Sequence, residues 1–392
     1  MDSPPTQQRL GSHLDDIIFG SGKKRMLAID GGGIRGVIAV EVLGEIERIL
    51  RAHTGNPDLR LADWFHFISG CSTGAIVAAG LSIGMSVDEI RDIYEKSGPA
   101  MFRRAGWWTR LIFHKYIHRE LAKLMQERFR AETKLGSENV RTLLMTVLKN
   151  ATTDSPWPLT NNPYAMFNDR KMVGCNLDLP LWQVVRASTA APTYFAPETI
   201  LLEGQKRPFV FVDGGLTPYN NPAFLMYLTA TLPAYRLGWH PSERDMLVVS
   251  VGTGLHPKSA PDLTPRKMHL LYTAKEAPAT LMYSAINEQD MLCRAFGKCI
   301  AGDHLDMEIG DMIGMPNGAA KEACFTYARY NVDLTESGLD SVGCGDLKEK
   351  SLYRLDAVEL IHDMQTVGKA VAKTRVRASH FTDFIDAGVG DD

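Results

Sequence analysis

Phe65–Met85 reads FHFISGCSTGAIVAAGLSIGM, and the rest of the chain is organised around it. The apolar run Phe65–Ser69 leads into Gly70-Cys71-Ser72-Thr73-Gly74, and the small-residue segment Ala75–Leu81 follows directly. Strand, tight turn with a central serine, then helix is the order of a nucleophile elbow. The glycines have a physical reason: a serine held in a strained backbone conformation needs small residues two positions away on either side, so that strand and helix can pass closely. The turn also lifts the hydroxyl to a helix N-terminus, where unpaired N–H groups favour negative charge. Between Asp63 and Asp88 there is no Asp, Glu, Lys or Arg. Gly, Ser, Thr and His within that stretch argue for a buried strand and helix and against a membrane span.

Upstream, the apolar run Met26–Ile29 ends at Asp30-Gly31-Gly32-Gly33-Ile34-Arg35-Gly36. Ile38, Val42, Ile46, Ile49 and Leu50 then recur at helix spacing until Thr54-Gly55-Asn56-Pro57 stops the pattern. Strand–helix–strand–helix predicts a parallel sheet with helices on its faces. Downstream, Arg141–Lys149 reads as a strand, Pro156–Pro163 as a loop, Ala165–Phe167 and Lys171–Val173 as short strand pieces, and Leu181–Ala190 as a helix. Phe209–Val212 is a strand ending in Asp213-Gly214-Gly215, and Ala223–Leu232 is a helix. Met246–Val251 is a further buried strand; a strand at Phe325–Val332 and a last helix over about 356–373 follow.

Three glycine-punctuated strand ends therefore stand out. In a parallel sheet the carboxyl ends of the strands share one edge, where such folds place their sites. On that edge Ser72 is a nucleophile, Asp213 a general base for its hydroxyl, and the successive amides of Gly31, Gly32 and Gly33 a nest for an oxyanion.

GGGIRG also satisfies a dinucleotide-binding pattern. That pattern wants an acidic residue at the end of a second strand about 20 residues on, and the chain around Arg51–Pro57 is a helix end and a turn. A Ser-His-Asp hydrolase would need a later histidine such as His304, His362 or His380, none of which sits in a telling motif and none of which gives Asp213-Gly214-Gly215 a role. A storage or scaffold protein without turnover is the third alternative.

DGGGIRG, GCSTG and DGG, in this order, resemble the patatin-like phospholipase family. ASTAAPTYFAP at Ala187–Pro197, NNPA at Asn220–Ala223 and VGTG at Val251–Gly254 also fit, and the likeness covers roughly 26–254 with weaker echoes at Tyr327–Thr335 and in the last helix. The resemblance implies a three-layer α/β/α fold with a mostly parallel central sheet. It also implies a Ser72–Asp213 dyad without a histidine, an oxyanion loop at Gly31–Gly33, and acyl-ester hydrolysis of membrane phospholipids or lysolipids with no metal or cofactor in the catalytic step. Arg35 matches the family's basic position, holding an anionic head group or the loop itself. Some bacterial relatives are antiviral effectors switched on by cyclic nucleotides, and the resemblance admits such an activator here. Cys71 stands where Thr is usual, and His66 where an Asp often precedes the elbow.

Composition narrows the class. With 45% hydrophobic residues, 23% charged residues and a net charge of −3, the 392-residue chain is neither disordered nor a nucleic-acid binder by composition. The first 22 residues read as a loose polar tail with no secretory leader, and residues 23–255 as the catalytic core. Residues 256–392 complete or pack on the same domain. Six scattered cysteines read as free thiols in a reducing cytosol. Residues 100–135 form a basic, aromatic insertion that reads equally as a cap packed over the site with a solvated basic face or as a membrane-facing surface. On the second reading Arg103, Arg104, Trp107 and Trp108 meet lipid headgroups, which predicts a cytoplasmic protein in transient peripheral contact with the inner membrane surface. Within it Leu121, Leu124, Met125, Arg128 and Phe129 continue as an amphipathic helix.

Overall fold

The computed structural model describes residues 9–101, 118–257, 263–264, 266, 268, 270–315 and 322–385. Arg103, Arg104, Trp107 and Trp108 lie outside the described residues.

Among those residues nine strands form one sheet. They are β1 (Lys24–Ile29), β2 (Phe67–Cys71), β3 (Leu143–Asn150), β4 (Ser155–Thr160), β5 (Glu198–Ile200), β6 (Phe209–Asp213), β7 (Met246–Val251), β8 (Lys298–Ala301) and β9 (Thr326–Tyr330). Their order is β5-β6-β3-β2-β1-β7-β9-β8, with β4 paired on β3. The run from β3 to β8 is parallel throughout. β1, β2 and β7 carry almost unbroken apolar sequence because helices cover both faces of the sheet.

Two apolar cores lie on the two sides of the sheet. One packs the helices Gly36–Thr54, Thr73–Ser82 and Ile361–Arg375 against Leu27, Ile29, Ile68 and Val249. The other packs Ala223–Thr231 against Met26, Ala28, Phe67 and Val248. Alternate residues of each strand thus serve opposite cores, giving the three α/β/α layers. Gly55, at φ 65°, closes the first long helix in the left-handed conformation. No helix among the described residues is long and apolar enough to cross a membrane.

Three local expectations are corrected. Pro156–Pro163 is mostly strand, because β4 turns back antiparallel on β3, with Ser155 opposite Asn150 and Thr160 opposite Met145. Its prolines occupy an outer strand, where a missing donor is tolerated. Ala165–Phe167 and Lys171–Val173 are not strand pieces: the first runs into a 3-10 turn at Met166–Asn168, and the second is a turn and bend. The last helix starts at Ile361, after a short 3-10 turn at Val358–Leu360.

The largest correction concerns direction. β6 runs antiparallel to β3, with Asp213 opposite Leu148 and Phe211 opposite Asn150. β2 pairs with the same strand over Leu143–Val147, and β4 occupies β3 over Met145–Asn150. A strand has two edges, so β2 and β6 share one edge of β3 and meet end to end. Cys71 lies opposite Val147 and Asp213 opposite Leu148. The shared carboxyl edge of parallel strands accounts for Asp30 and Ser72, but Asp213 arrives from the other direction.

Candidate active site

Ser72 has φ 53° and ψ −124°, left-handed backbone that costs a non-glycine residue roughly 1–3 kcal/mol. The neighbours hold it there. A Cβ on Gly70 would lie 2.1 Å from the Gly74 carbonyl oxygen, and one on Gly74 would lie 2.2 Å from that of Ile29. The Ser72 amide donates to Ser188 Oγ at 2.9 Å, and Ser188 Oγ donates to the Val147 carbonyl at 2.6 Å. Thr73 Oγ1 and the buried Tyr94 hydroxyl are 2.5 Å apart. Beneath the elbow, the His66 ring nitrogen Nδ1 accepts from the Arg25 amide at 3.1 Å.

The Ser72 hydroxyl donates to Asp213 Oδ2 at 2.6 Å. Asp213 Oδ1 accepts from the Gly215 amide at 2.7 Å, which fixes the carboxylate plane. Burial pushes the Asp213 carboxyl up to about 6, against the opposing pull of the Ser72 and Gly215 bonds and of the Arg186 charge. Burial also drives the Cys71 thiol well above its ordinary value, so the adjacent sulfur stays a neutral thiol.

The glycine loop divides its amides. Gly31 N–H donates to the Asn220 carbonyl at 3.1 Å, so this amide is already engaged and only part of the expected three-amide nest is open. No protein acceptor meets the Gly32 and Gly33 amides among the described residues. Side chains are excluded for a reason at each position: a Cβ on Gly31 would strike Asn220 Oδ1 at 2.2 Å, one on Gly32 would strike Thr253 Oγ1 at 2.0 Å, and Gly33 has φ 60°. Arg35 is buried and its Nε donates to the Gly32 carbonyl at 3.4 Å. Burial lowers its guanidinium to about 10, which leaves it charged at neutral pH.

Asp30 braces the loop from below. Arg329 grips it with two bonds, Nη1 to Oδ1 at 2.8 Å and Nη2 to Oδ2 at 2.6 Å, and Nη1 also donates to Ser250 Oγ at 2.7 Å. Asn220 Nδ2 and Thr253 Oγ1 both donate to the Gly31 carbonyl, at 3.3 and 2.9 Å. Ser188, Asn220, Thr253 and Arg329 escaped the reading of single residues. The segments ASTAAP, NNPA and VGTG that carry the first three were visible; their contacts were not.

These groups line one cavity of about 620 Å³, which contains Gly31, Gly32, Gly33, Ser72, Asp213 and Gly215. Its remaining wall is largely apolar, with Ile76, Met101, Leu121, Phe195, Met282 and Leu355 among its members. No histidine lines it among the described residues. His380 instead bonds the Tyr330 hydroxyl, and His362 bonds Gln365. No group of three or more His, Cys, Asp or Glu suited to a metal ion occurs among the described residues.

A buried carboxylate bonded to a strained serine thus lies beside open backbone amides and an apolar cavity on an α/β/α fold. Residues 27–227 match the family model for patatin-like phospholipase, and the chain belongs to that family. It is 31% identical to Patatin-17 of Solanum cardiophyllum over 268 residues, covering 64% of each chain. It is likewise 31% identical to Patatin-16 of Solanum tuberosum over 244 residues, covering 58% of this chain and 60% of that one. The chain thus spans about three-fifths of the length of these relatives. VipD from Legionella pneumophila aligns over 88% of this chain and 67% of its own at 12% identity, with a TM-score of 0.38.

Proposed function

We propose that the chain hydrolyses fatty-acyl esters of membrane phospholipids or lysolipids through Ser72 and Asp213, as a phospholipase A or lysophospholipase. The observation supporting this is the 2.6 Å bond from the serine hydroxyl to a buried carboxylate at the wall of an apolar cavity. In the proposed cycle Ser72 Oγ attacks the ester carbonyl carbon while Asp213 Oδ2 takes its proton. The carbonyl oxygen becomes an oxyanion facing the Gly32 and Gly33 amides, each such donor being worth about 3–4 kcal/mol. Collapse of the adduct breaks the ester C–O bond, the lysolipid or glyceryl alcohol leaves with the proton from Asp213, and the acyl group stays on Ser72. Water, deprotonated by Asp213, then releases the fatty acid and restores the hydroxyl.

Aspartate is ordinarily a poor base at neutral pH, and raising its pKa towards 6 improves the match to a hydroxyl proton while leaving it mostly ionised at pH 7. Peripheral lipid contact through Arg103, Arg104, Trp107 and Trp108 belongs to the same proposal.

The test is lipidomics of the products formed on phospholipid and lysolipid vesicles by wild type, Ser72→Ala and Asp213→Asn. Both variants should fold and release no fatty acid. An active Asp213→Asn would transfer the base role to another group. A parallel arm with added cyclic nucleotide reads gating: basal turnover unchanged by such ligands rules the activator out.

A further inference from the structure

Arg186 has no part in the cycle above, yet its burial is complete at 0% exposure. It lies on the helix Leu181–Ser188, whose last residue holds the Ser72 amide. Nη2 donates to the Ala196 carbonyl at 2.8 Å, and the guanidinium lies 5.6 Å from the centre of the Phe195 ring. Nε and Nη1 have no hydrogen-bond partner among the described residues. Arginine cannot shed its proton, so a buried guanidinium with two unmatched nitrogens is among the least favourable groups a core can hold. Methionine would occupy similar space without that penalty. Packing therefore does not explain the residue, and its charge needs a use.

Two acids act on it electrostatically, Glu198 and Asp213. Glu198 is only half-buried and already accepts from Gln183 Nε2 at 3.0 Å. Asp213 is buried, and its amide donates to the Ala190 carbonyl at 3.0 Å. Arg186 and Asp213 therefore hold opposite ends of the segment 190–196, which forms a wall of the cavity through Ala191–Phe195. The other groups acting on Asp213 are the Ser72 hydroxyl and the Gly215 amide, with the Cys71 thiol on the elbow strand nearby. None of these is a cation.

We infer that Arg186 is a positioning residue for the Ser72–Asp213 pair: its buried charge keeps Asp213 a carboxylate at neutral pH, while its bond to Ala196 holds the cavity wall in place. The inference rests on the dyad reading of the preceding subsection and adds to it a buried cation that favours the ionised form of the base.

The test is the pH dependence of kcat/KM on a soluble short-chain ester for wild type, Arg186→Gln and Arg186→Lys. Glutamine can still donate to the Ala196 carbonyl but carries no charge; lysine keeps the charge. Arg186→Gln should move the acid limb to higher pH and recover towards wild-type rates in alkali. Arg186→Lys should leave the limb near its wild-type position. A loss in Arg186→Gln that is equal at every pH, with the limb unmoved, overturns the inference in favour of a wall-packing role. If Arg186→Gln fails to fold, a limb displaced upward in folded Arg186→Lys overturns it as well. A wild-type protein that turns over no ester at any pH counts against the dyad instead, so the two failures are distinguishable.

Discussion

At the scale of single residues, Asp213 places reactivity and stability in opposition. Its folded pKa of about 6 exceeds the ordinary value of 3.8. Between those two pH values the folded state binds more protons than the unfolded state, so stability falls as pH rises through the window and stays reduced above it. A shift of about two units corresponds to about 3 kcal/mol at neutral pH. Asp213→Asn keeps the shape and an acceptor for the Gly215 amide while removing the buried charge. It should therefore be more stable than wild type at pH 7.5, by up to about 3 kcal/mol, with the gap closing by pH 4. Thermal denaturation at the two pH values checks this, and an inactive variant less stable than wild type at pH 7.5 would contradict it. The proton uptake that strengthens the fold is the one that stops the proposed chemistry.

Among the elements, the elbow shows local propensity losing to packing. Gly74 lies in the first turn of the helix Thr73–Ser82, where alanine is intrinsically favoured by up to about 1 kcal/mol. A Cβ there would meet the Ile29 and Asp30 carbonyl oxygens at 2.2 and 2.7 Å, both backbone atoms at the end of β1. Overpacking of that kind costs about 1–3 kcal/mol, so Gly74→Ala should be destabilised in urea despite the better helix former. It should also lose activity, because the displaced atoms lead into the glycine loop. The elements themselves were largely legible: β1, β2, β7 and the helix Gly36–Thr54 follow from apolar runs, helical periodicity and the Gly55 stop. Strand direction was not. Whether Phe209–Asp213 runs with or against Leu143–Asn150 depends on the long connection between Asn150 and Phe209, and no local pattern encodes it. The proline-spaced β4 looked like a loop for the same kind of reason, since an outer strand is recognised by its partner.

Taken whole, the molecule ties its candidate site to a strand far along the chain. Arg329 on β9 reaches past Ser250 on β7 to Asp30 at the end of β1, joining three parallel neighbours by one side chain. Both partners are buried, so the pair's net worth is small while the cost of breaking it is large. Arg329→Met strands an uncompensated carboxylate and should lose about 3–5 kcal/mol in urea unfolding. Adding Asp30→Asn to that variant should return part of the loss; a double variant no better than the single would show that the charge is not the cause. This long link had no signature in the chain, because Arg329 is an unremarked residue of an apolar strand until its partner is placed beside it. The end-to-end seating of β2 and β6 along β3 has one more consequence. Hydroxyl and carboxylate hang from a common rail, so bending or sliding of that rail carries both alike and leaves their separation nearly constant, while only a motion that parts the two abutting strand tips can pull the reacting pair apart.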